Sequence, residues 1–119
     1  MARLPGGDRA FIPPGKIAGY CLSPDHGEGR HKARVFASAL GLTATDEELL
    51  AAALLAAART ENAELLLTDG LGARYRVDFR FDHNGRTAVI RSGWMVSAPG
   101  RAPYLTTAFV LLRADGKRA

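Results

Sequence analysis

The 119-residue sequence predicts an α+β domain, with two to three N-terminal helices followed by a four-stranded antiparallel meander and the helices packed on one sheet face. Three observations carry this expectation. Apolar residues between 29 and 60 recur at helical spacing. After Glu61-Asn62 the apolar period falls to two, and Arg74 to Phe81 alternate without a break. Turn signatures separate the alternating runs, at Asp69-Gly70-Leu71-Gly72, His83-Asn84-Gly85-Arg86 and Pro99 to Pro103.

Residues 1–12 read as an extended lead-in, with Pro5-Gly6-Gly7 a turn and Ala10-Phe11-Ile12 a short edge strand. Pro13-Pro14 open a short helix that buries Ile17, Tyr20 and Cys21. A loop from Ser23 leads into a cationic helix beginning at Gly29. Ala33, Phe36, Ala37 and Leu40 form its apolar stripe, and Arg30, His31, Lys32 and Arg34 take the rest of the circumference. Gly41 stands where a left-handed cap ends such a helix.

Thr45 and Glu48 have the spacing of a capping box for the next helix, which runs to about Arg59. From Leu49 to Ala58 that helix is apolar on every side, so burial or a partner chain is expected. Strands follow at 63–68, 74–81, 87–96 and 104–112, and 114–119 reads as a polar tail. All of 1–119 is read as one domain, with a helical part at 13–60 and a sheet at 63–113.

Composition narrows the function classes. With one cysteine, Cys21, no intrachain disulfide forms and a cysteine-based metal site is not expected. The first eight residues lack a signal-type apolar run, and the longest one, 49–58, is far short of the roughly 20 residues needed to span a bilayer. A cytoplasmic protein without membrane contact is the expectation. The net charge of +4 is unevenly spread: residues 1–34 sum to +3, 35–70 to −5 and 71–119 to +6. Such a pattern suits an anionic partner, although thirteen of the sixteen cations are arginine and a compositional bias explains the pattern equally well.

Alternation assigns the sheet faces. With Tyr75, Val77, Phe79 and Phe81 inward, Arg74, Arg76, Asp78 and Arg80 point away from the helices. On the third strand Ala88, Ile90 and Trp94 are core, leaving Thr87, Val89, Arg91 and Met95 outside. On the last strand Leu105, Thr107, Phe109 and Leu111 are the inward set, with Tyr104, Thr106, Ala108 and Val110 outward. The outward arginines and Tyr104 suit single-stranded RNA, since guanidinium forks match phosphate and an aromatic ring stacks on a base. An ordinary solvated face with a dimer seam is the competing reading.

No phosphate loop or dinucleotide fingerprint is present, Ser92 lacks a nucleophile elbow, and His26, His31 and His83 lack metal-ligand spacing. Neither metal nor cofactor is expected. Metal-independent RNA cleavage asks less of spacing: a base for the 2′-hydroxyl, an acid for the leaving oxygen, and cations for the extra phosphate charge. Histidine as a residue type has an unperturbed pKa near neutrality, so His31 suits base or acid; Lys32, Arg34 and Arg91 suit phosphate, and Thr107 or Tyr104 can bond a phosphate oxygen. A plain surface histidine, a core tryptophan and strand-forming threonines explain the same residues without chemistry.

Three blocks, Ala10 to Lys16, Gly29-Arg30-His31-Lys32-Ala33-Arg34-Val35-Phe36, and Trp94 through Phe109, resemble an uncharacterised bacterial family of domains of unknown function. The resemblance covers most of residues 4–110, and the middle block is its most specific part. Members of that family occur in small operons and at the ends of phage and polymorphic-toxin proteins. The element order is similar to the barnase, colicin and RelE-like ribonuclease toxins. The resemblance implies a site joining His31, Lys32 or Arg34, Arg91 and Thr107. Tyr104 stands where the family tends to have a basic residue, and Phe109-Val110 where it tends to have tyrosine and proline. Two functions are carried forward: a toxin-like domain that binds RNA, with metal-independent cleavage left open, and a non-enzymatic module that forms a homodimer or pairs with a neighbouring operon product.

Overall fold

The computed structural model describes residues 2–111. It contains helices α1 (Gly29–Leu40) and α2 (Glu47–Thr60), then strands β1 (Glu64–Asp69), β2 (Gly72–His83), β3 (Arg86–Val96) and β4 (Tyr104–Val110). The strands form one antiparallel sheet in the order β1-β2-β3-β4, which is the expected meander. Leu112 and the tail expected at 114–119 lie outside the described residues.

Local chemistry explains most boundaries. At the end of α1, Gly41 adopts φ 70°, its N–H donates to the Ala37 carbonyl and the Leu42 N–H to Phe36, closing the helix as a Schellman cap does. Asn84 and Gly85 take φ 49° and 78° in the β2–β3 turn. Residues Ile17–Cys21 form one turn of π-helix, with Cys21 N–H bonded to Lys16 and Leu22 N–H to Ile17 five residues back. The expected edge strand at Ala10-Phe11-Ile12 reduces to a single parallel bridge between Phe11 and Tyr104.

Several expectations are corrected. The capping box uses Thr43 and Asp46 rather than Thr45 and Glu48. A 3-10 turn, Ala44–Asp46, precedes α2, so the free amides begin earlier in the chain, and the Thr45 hydroxyl bonds the Thr43 hydroxyl instead. Helix α2 is one-sided: Leu50, Leu54, Ala57 and Ala58 are buried, while Leu49 and Ala52 face solvent. In α1 Ala39 is buried and Ala37 exposed. At about 100° per residue Ala37 lies about 70° to one side of the stripe through Ala33, Phe36 and Leu40 and Ala39 about 90° to the other, so the packed neighbours, not the periodicity, bury Ala39.

The largest correction concerns β4. A β-bulge sets Thr106 and Thr107 against Gly93, and the alternation changes phase there. Leu105 is inward as expected, but Ala108 and Val110 are core, and Thr107 and Phe109 belong to the open face. Gly93 is matched to the bulge, because a Cβ there would stand 2.9 Å from Thr106 Oγ1 and 3.2 Å from the Thr107 methyl. Met95 lies on the open face yet is buried, flanked in register by Arg74 and Tyr104.

The core joins Val77, Phe79, Ile90, Trp94, Leu105, Ala108 and Val110 of the sheet to Phe36, Leu40, Leu50 and Leu54 of the helices. Ile17, Cys21 and Leu22 close its β4 side. Burial pushes the Cys21 thiol up, against the Ala108 amide and the charges of Lys16 and Lys32, which pull it down. A raised thiol pKa stabilises the fold below the unfolded value, about 8.5, and that contribution is lost as pH rises through the folded value. Iodoacetamide should therefore leave Cys21 unmodified at pH 7 and label it fully in urea. Between pH 8 and 10 the Cys21→Ala variant should lose less stability than the parent chain; equal losses would mean the thiol does not titrate with unfolding.

Candidate nucleic-acid interface

Two surfaces carry the sequence-predicted residues, and they differ in how their charges are used. On the open sheet face the register sets out rows across the strands: Glu64, Arg76, Gly93 and Thr107; Asp78, Arg91 and Phe109; Leu67, Arg74, Met95 and Tyr104. Arg76 is paired with Glu64. Arg91 grips Asp78 through Nε and Nη2, both at 2.9 Å, and that carboxylate raises the Arg91 pKa further. Arg80 meets Asp82 at 3.3 Å. The Thr87 hydroxyl, 2.7 Å from Asp82, and Arg80 hold the Asp82 carboxyl below the ordinary range. Three of the four arginines expected to receive phosphate thus already have carboxylate partners. Arg74 is exposed and has none among the described residues, and Tyr104 sets its ring 6.0 Å from Phe11.

Thr107 reaches the open face but is not free to bind. Its Oγ1 is buried and has no hydrogen-bond partner among the described residues, while its methyl lies over the position where Gly93 lacks a side chain. The phosphate contact expected of it has no accessible atom to make it.

The second surface is α1 with the segments against its ends. His26 accepts hydrogen bonds at Nδ1 from the Glu28 and Gly29 amides, 3.0 and 2.9 Å away, and so caps the helix start. At the other end His83 Nδ1 lies 2.7 Å from the Leu40 carbonyl, which only accepts, so Nδ1 carries the proton. Arg86 reaches the Ala37 and Ser38 carbonyls, a favourable place for a cation at a helix C-terminus. Two of the three histidines therefore serve the helix ends, and His31 is the exposed one.

His31 and Lys32 line a shallow depression of about 260 Å³ with Val35, Phe109 and Val110. Lys32 is committed elsewhere: its Nζ donates to the Tyr20 hydroxyl at 3.0 Å and lies 5.8 Å from the Phe109 ring centre. Arg91 is the register partner of Phe109, but its guanidinium is held by Asp78. Phe109 thus stands between the helix pair and the strand arginine, and the four residues expected to form one catalytic site do not converge on a common point. Among the residues lining the depression, Lys32 is the one other acid or base beside His31, and its Nζ is already bonded to the Tyr20 hydroxyl.

On the other flank of α1 a hollow of about 500 Å³ lies between the helix and the turn before α2. Arg30, Arg34, Leu22, Ala33, Leu42 and Thr43 are among its lining residues, and the lining includes no carboxylate. Among the described residues Arg34 has no partner, and Arg30 donates only to the Gly27 carbonyl. Sequence reasoning named Arg34 but missed the hollow, because Leu22, Leu42 and Thr43 come to it from outside the helix. It also missed Glu64 and Asp78 as the groups that neutralise the sheet. Opposite charges on adjacent alternating strands were the available signal, and using it required the strand register.

Among the described residues no cluster of histidine, cysteine, aspartate and glutamate is suited to a metal ion, and no helix is long and apolar enough to cross a membrane. Residues 3–112 match the family described as Domain of unknown function (DUF6883). No curated protein and no solved structure matches the chain significantly.

Proposed function

Since the chain belongs to the DUF6883 family, whose description states no activity, we propose a function from the geometry: a small toxin-like domain that binds single-stranded RNA through α1. The observation that carries this reading is the hollow beside Arg30 and Arg34, cationic, apolar-floored and free of carboxylates. The hollow has room for a nucleotide, guanidinium groups match phosphate, and the exposed His31 offers a further polar group along the helix. The open sheet face is the weaker candidate, because phosphate there has to displace Glu64, Asp78 and Asp82 from their arginines. Cleavage is the stricter claim, and it falls to His31 as base or acid beside Lys32.

Fluorescence anisotropy with a labelled single-stranded RNA tests the binding. Arg30→Glu together with Arg34→Glu should weaken it at least about tenfold at low salt. The salt dependence should flatten as well, by roughly 0.7 in logarithmic slope for each phosphate that the variant no longer neutralises. Arg76→Glu should change binding far less. The reverse ranking would move the site to the sheet and sink the α1 reading. For cleavage, RNA is incubated with chelator and either the parent chain or His31→Ala; loss of cleavage in the variant at an unchanged thermal midpoint supports catalysis, and intact RNA throughout removes the enzyme claim.

The second reading, a protein-interaction module, is favoured by a separate observation. Leu65, Leu66 and Leu67 are about half exposed along a sheet edge, at 54%, 52% and 50%.

A further inference from the structure

The two edges of the sheet are treated differently. The β4 edge is closed by the chain itself. Phe11 bonds it through its N–H to the Pro103 carbonyl and its carbonyl to the Leu105 N–H, at 3.0 and 3.1 Å. Further along, the Ala108 amide points to the Cys21 sulfur, and Lys32 lies over Phe109. The β1 edge has no such cover among the described residues. The lead-in touches its approach, through Ala63 N–H to the Ala2 carbonyl and an isolated bridge between Arg3 and Asn62, and goes no further. From Glu64 to Asp69 every residue is exposed, and the adjoining turn adds Leu71 at 68%.

An open strand edge with three consecutive leucines is the arrangement that folded proteins ordinarily avoid with charge, proline or cover. None of those devices interrupts Leu65-Leu66-Leu67. The bulge between Leu65 and Leu67 puts leucines on both faces, so an added strand meets apolar groups above and below the ladder. The charges that flank the leucines along the strand itself are acidic. Residues 60–73 include Glu61, Glu64 and Asp69 and no lysine or arginine; Arg76 of β2 pairs Glu64, whereas Glu61 and Asp69, at the two ends of the leucines, have no cationic partner among the described residues. Arg3, the nearest cation of the lead-in, directs its guanidinium to the Arg59 carbonyl.

We infer that β1 receives an extended segment of another protein, apolar at its centre and cationic at its ends, which pairs with the free edge as a fifth strand. Main-chain hydrogen bonds would supply affinity, and the leucines and acids would select the sequence. A second copy fits less well. Two β1 strands paired antiparallel about the Leu66–Leu67 midpoint set Glu64 opposite Asp69 of the copy, and like charges directly opposite destabilise a strand pair. This inference rests on the interaction-module reading and is independent of RNA binding.

A random dodecapeptide library selected on the full chain, together with light scattering of the protein alone, tests it. The supporting result is a monomer that enriches alternating apolar peptides with lysine or arginine at both ends. A synthetic peptide of that consensus should then bind at least about tenfold more weakly to Leu65→Lys with Leu67→Lys, or to Glu61→Lys with Asp69→Lys, at unchanged thermal midpoint. Enrichment of peptides unaffected by these changes, or acidic at their ends, overturns it. A dimer broken by the paired leucine changes also overturns it, since the edge then belongs to a second copy and the module reading survives in that form. A monomer that enriches nothing through β1 removes both the inference and the module reading.

Discussion

Gly29→Ala should lower the unfolding free energy by about 2–3 kcal/mol, although alanine is by far the better helix former. Gly29 opens α1 and is buried, and the backbone of the π-helical turn passes directly over it. A Cβ at this position would overlap the Tyr20 carbonyl oxygen and come within 3.2 Å of the Tyr20 ring. Neither neighbour gives way easily. Tyr20 is held by Lys32 and sets its ring edge-on against His26, whose Nδ1 caps the same helix. The methyl group therefore pushes apart two backbones whose approach also positions Lys32 against Tyr20. Gly27→Ala is the matched control, since nothing lies within 4 Å of a Cβ there, and it should stay within about 0.5 kcal/mol of the parent. Urea unfolding followed by circular dichroism reads both. Equal stability for the two variants would mean that the close approach is not there in solution.

The second large effect is expected at Trp94. This side chain is 1% exposed, and its indole N–H donates to Ser92 Oγ at 2.9 Å. The Ser92 hydroxyl in turn donates to the Val77 carbonyl at 2.7 Å, and Ser92 is itself completely buried. The chain of bonds ties β3 to β2 inside an otherwise apolar core, so each member depends on the others. Trp94→Ala should cost about 3–5 kcal/mol through lost burial and the cavity left behind. Ser92→Ala should cost about 1–3 kcal/mol, since it strands the buried indole N–H without an acceptor. Trp94→Phe should cost less than Trp94→Ala, because it keeps most of the ring volume and Ser92 still reaches Val77. In a double-mutant cycle, Ser92→Ala and Trp94→Phe should couple. Strict additivity would show that the indole N–H and the serine hydroxyl are not bonded.

These two sites show why some of the molecule was legible in advance and some was not. The Asn84-Gly85 turn, the Gly41 cap and the alternation of Tyr75, Val77, Phe79 and Phe81 follow from a few consecutive residues. The α+β class, the meander and the cationic character of α1 therefore follow from local residue patterns. Choices set by distant residues belonged to the tertiary structure. Ala37 lies slightly nearer the α1 stripe than Ala39, yet packing buried Ala39 and left Ala37 exposed. The β4 alternation ran correctly as far as Leu105, then changed phase at a bulge that Gly93 of the facing strand accommodates. Gly29 reads as an ordinary helix start until Tyr20, nine residues earlier in the chain, is brought against it.

The candidate site divides along the same line. Arg34, Arg74, Arg76, Arg80 and Arg91 were all visible as cations, because charge is a property of the residue. Their availability is a property of pairs. Glu64 and Asp78 take Arg76 and Arg91 across neighbouring strands, while Arg34 keeps its charge facing a hollow assembled from three segments. Burial of Thr107 Oγ1 and exposure of Leu65 to Leu67 are likewise decided by what the fold lays over one residue and leaves off the others. Residue chemistry and short-range periodicity were set by the sequence alone. Pairing, burial and the open edge came only with the long-range register, because each depends on groups that the chain brings together from far apart.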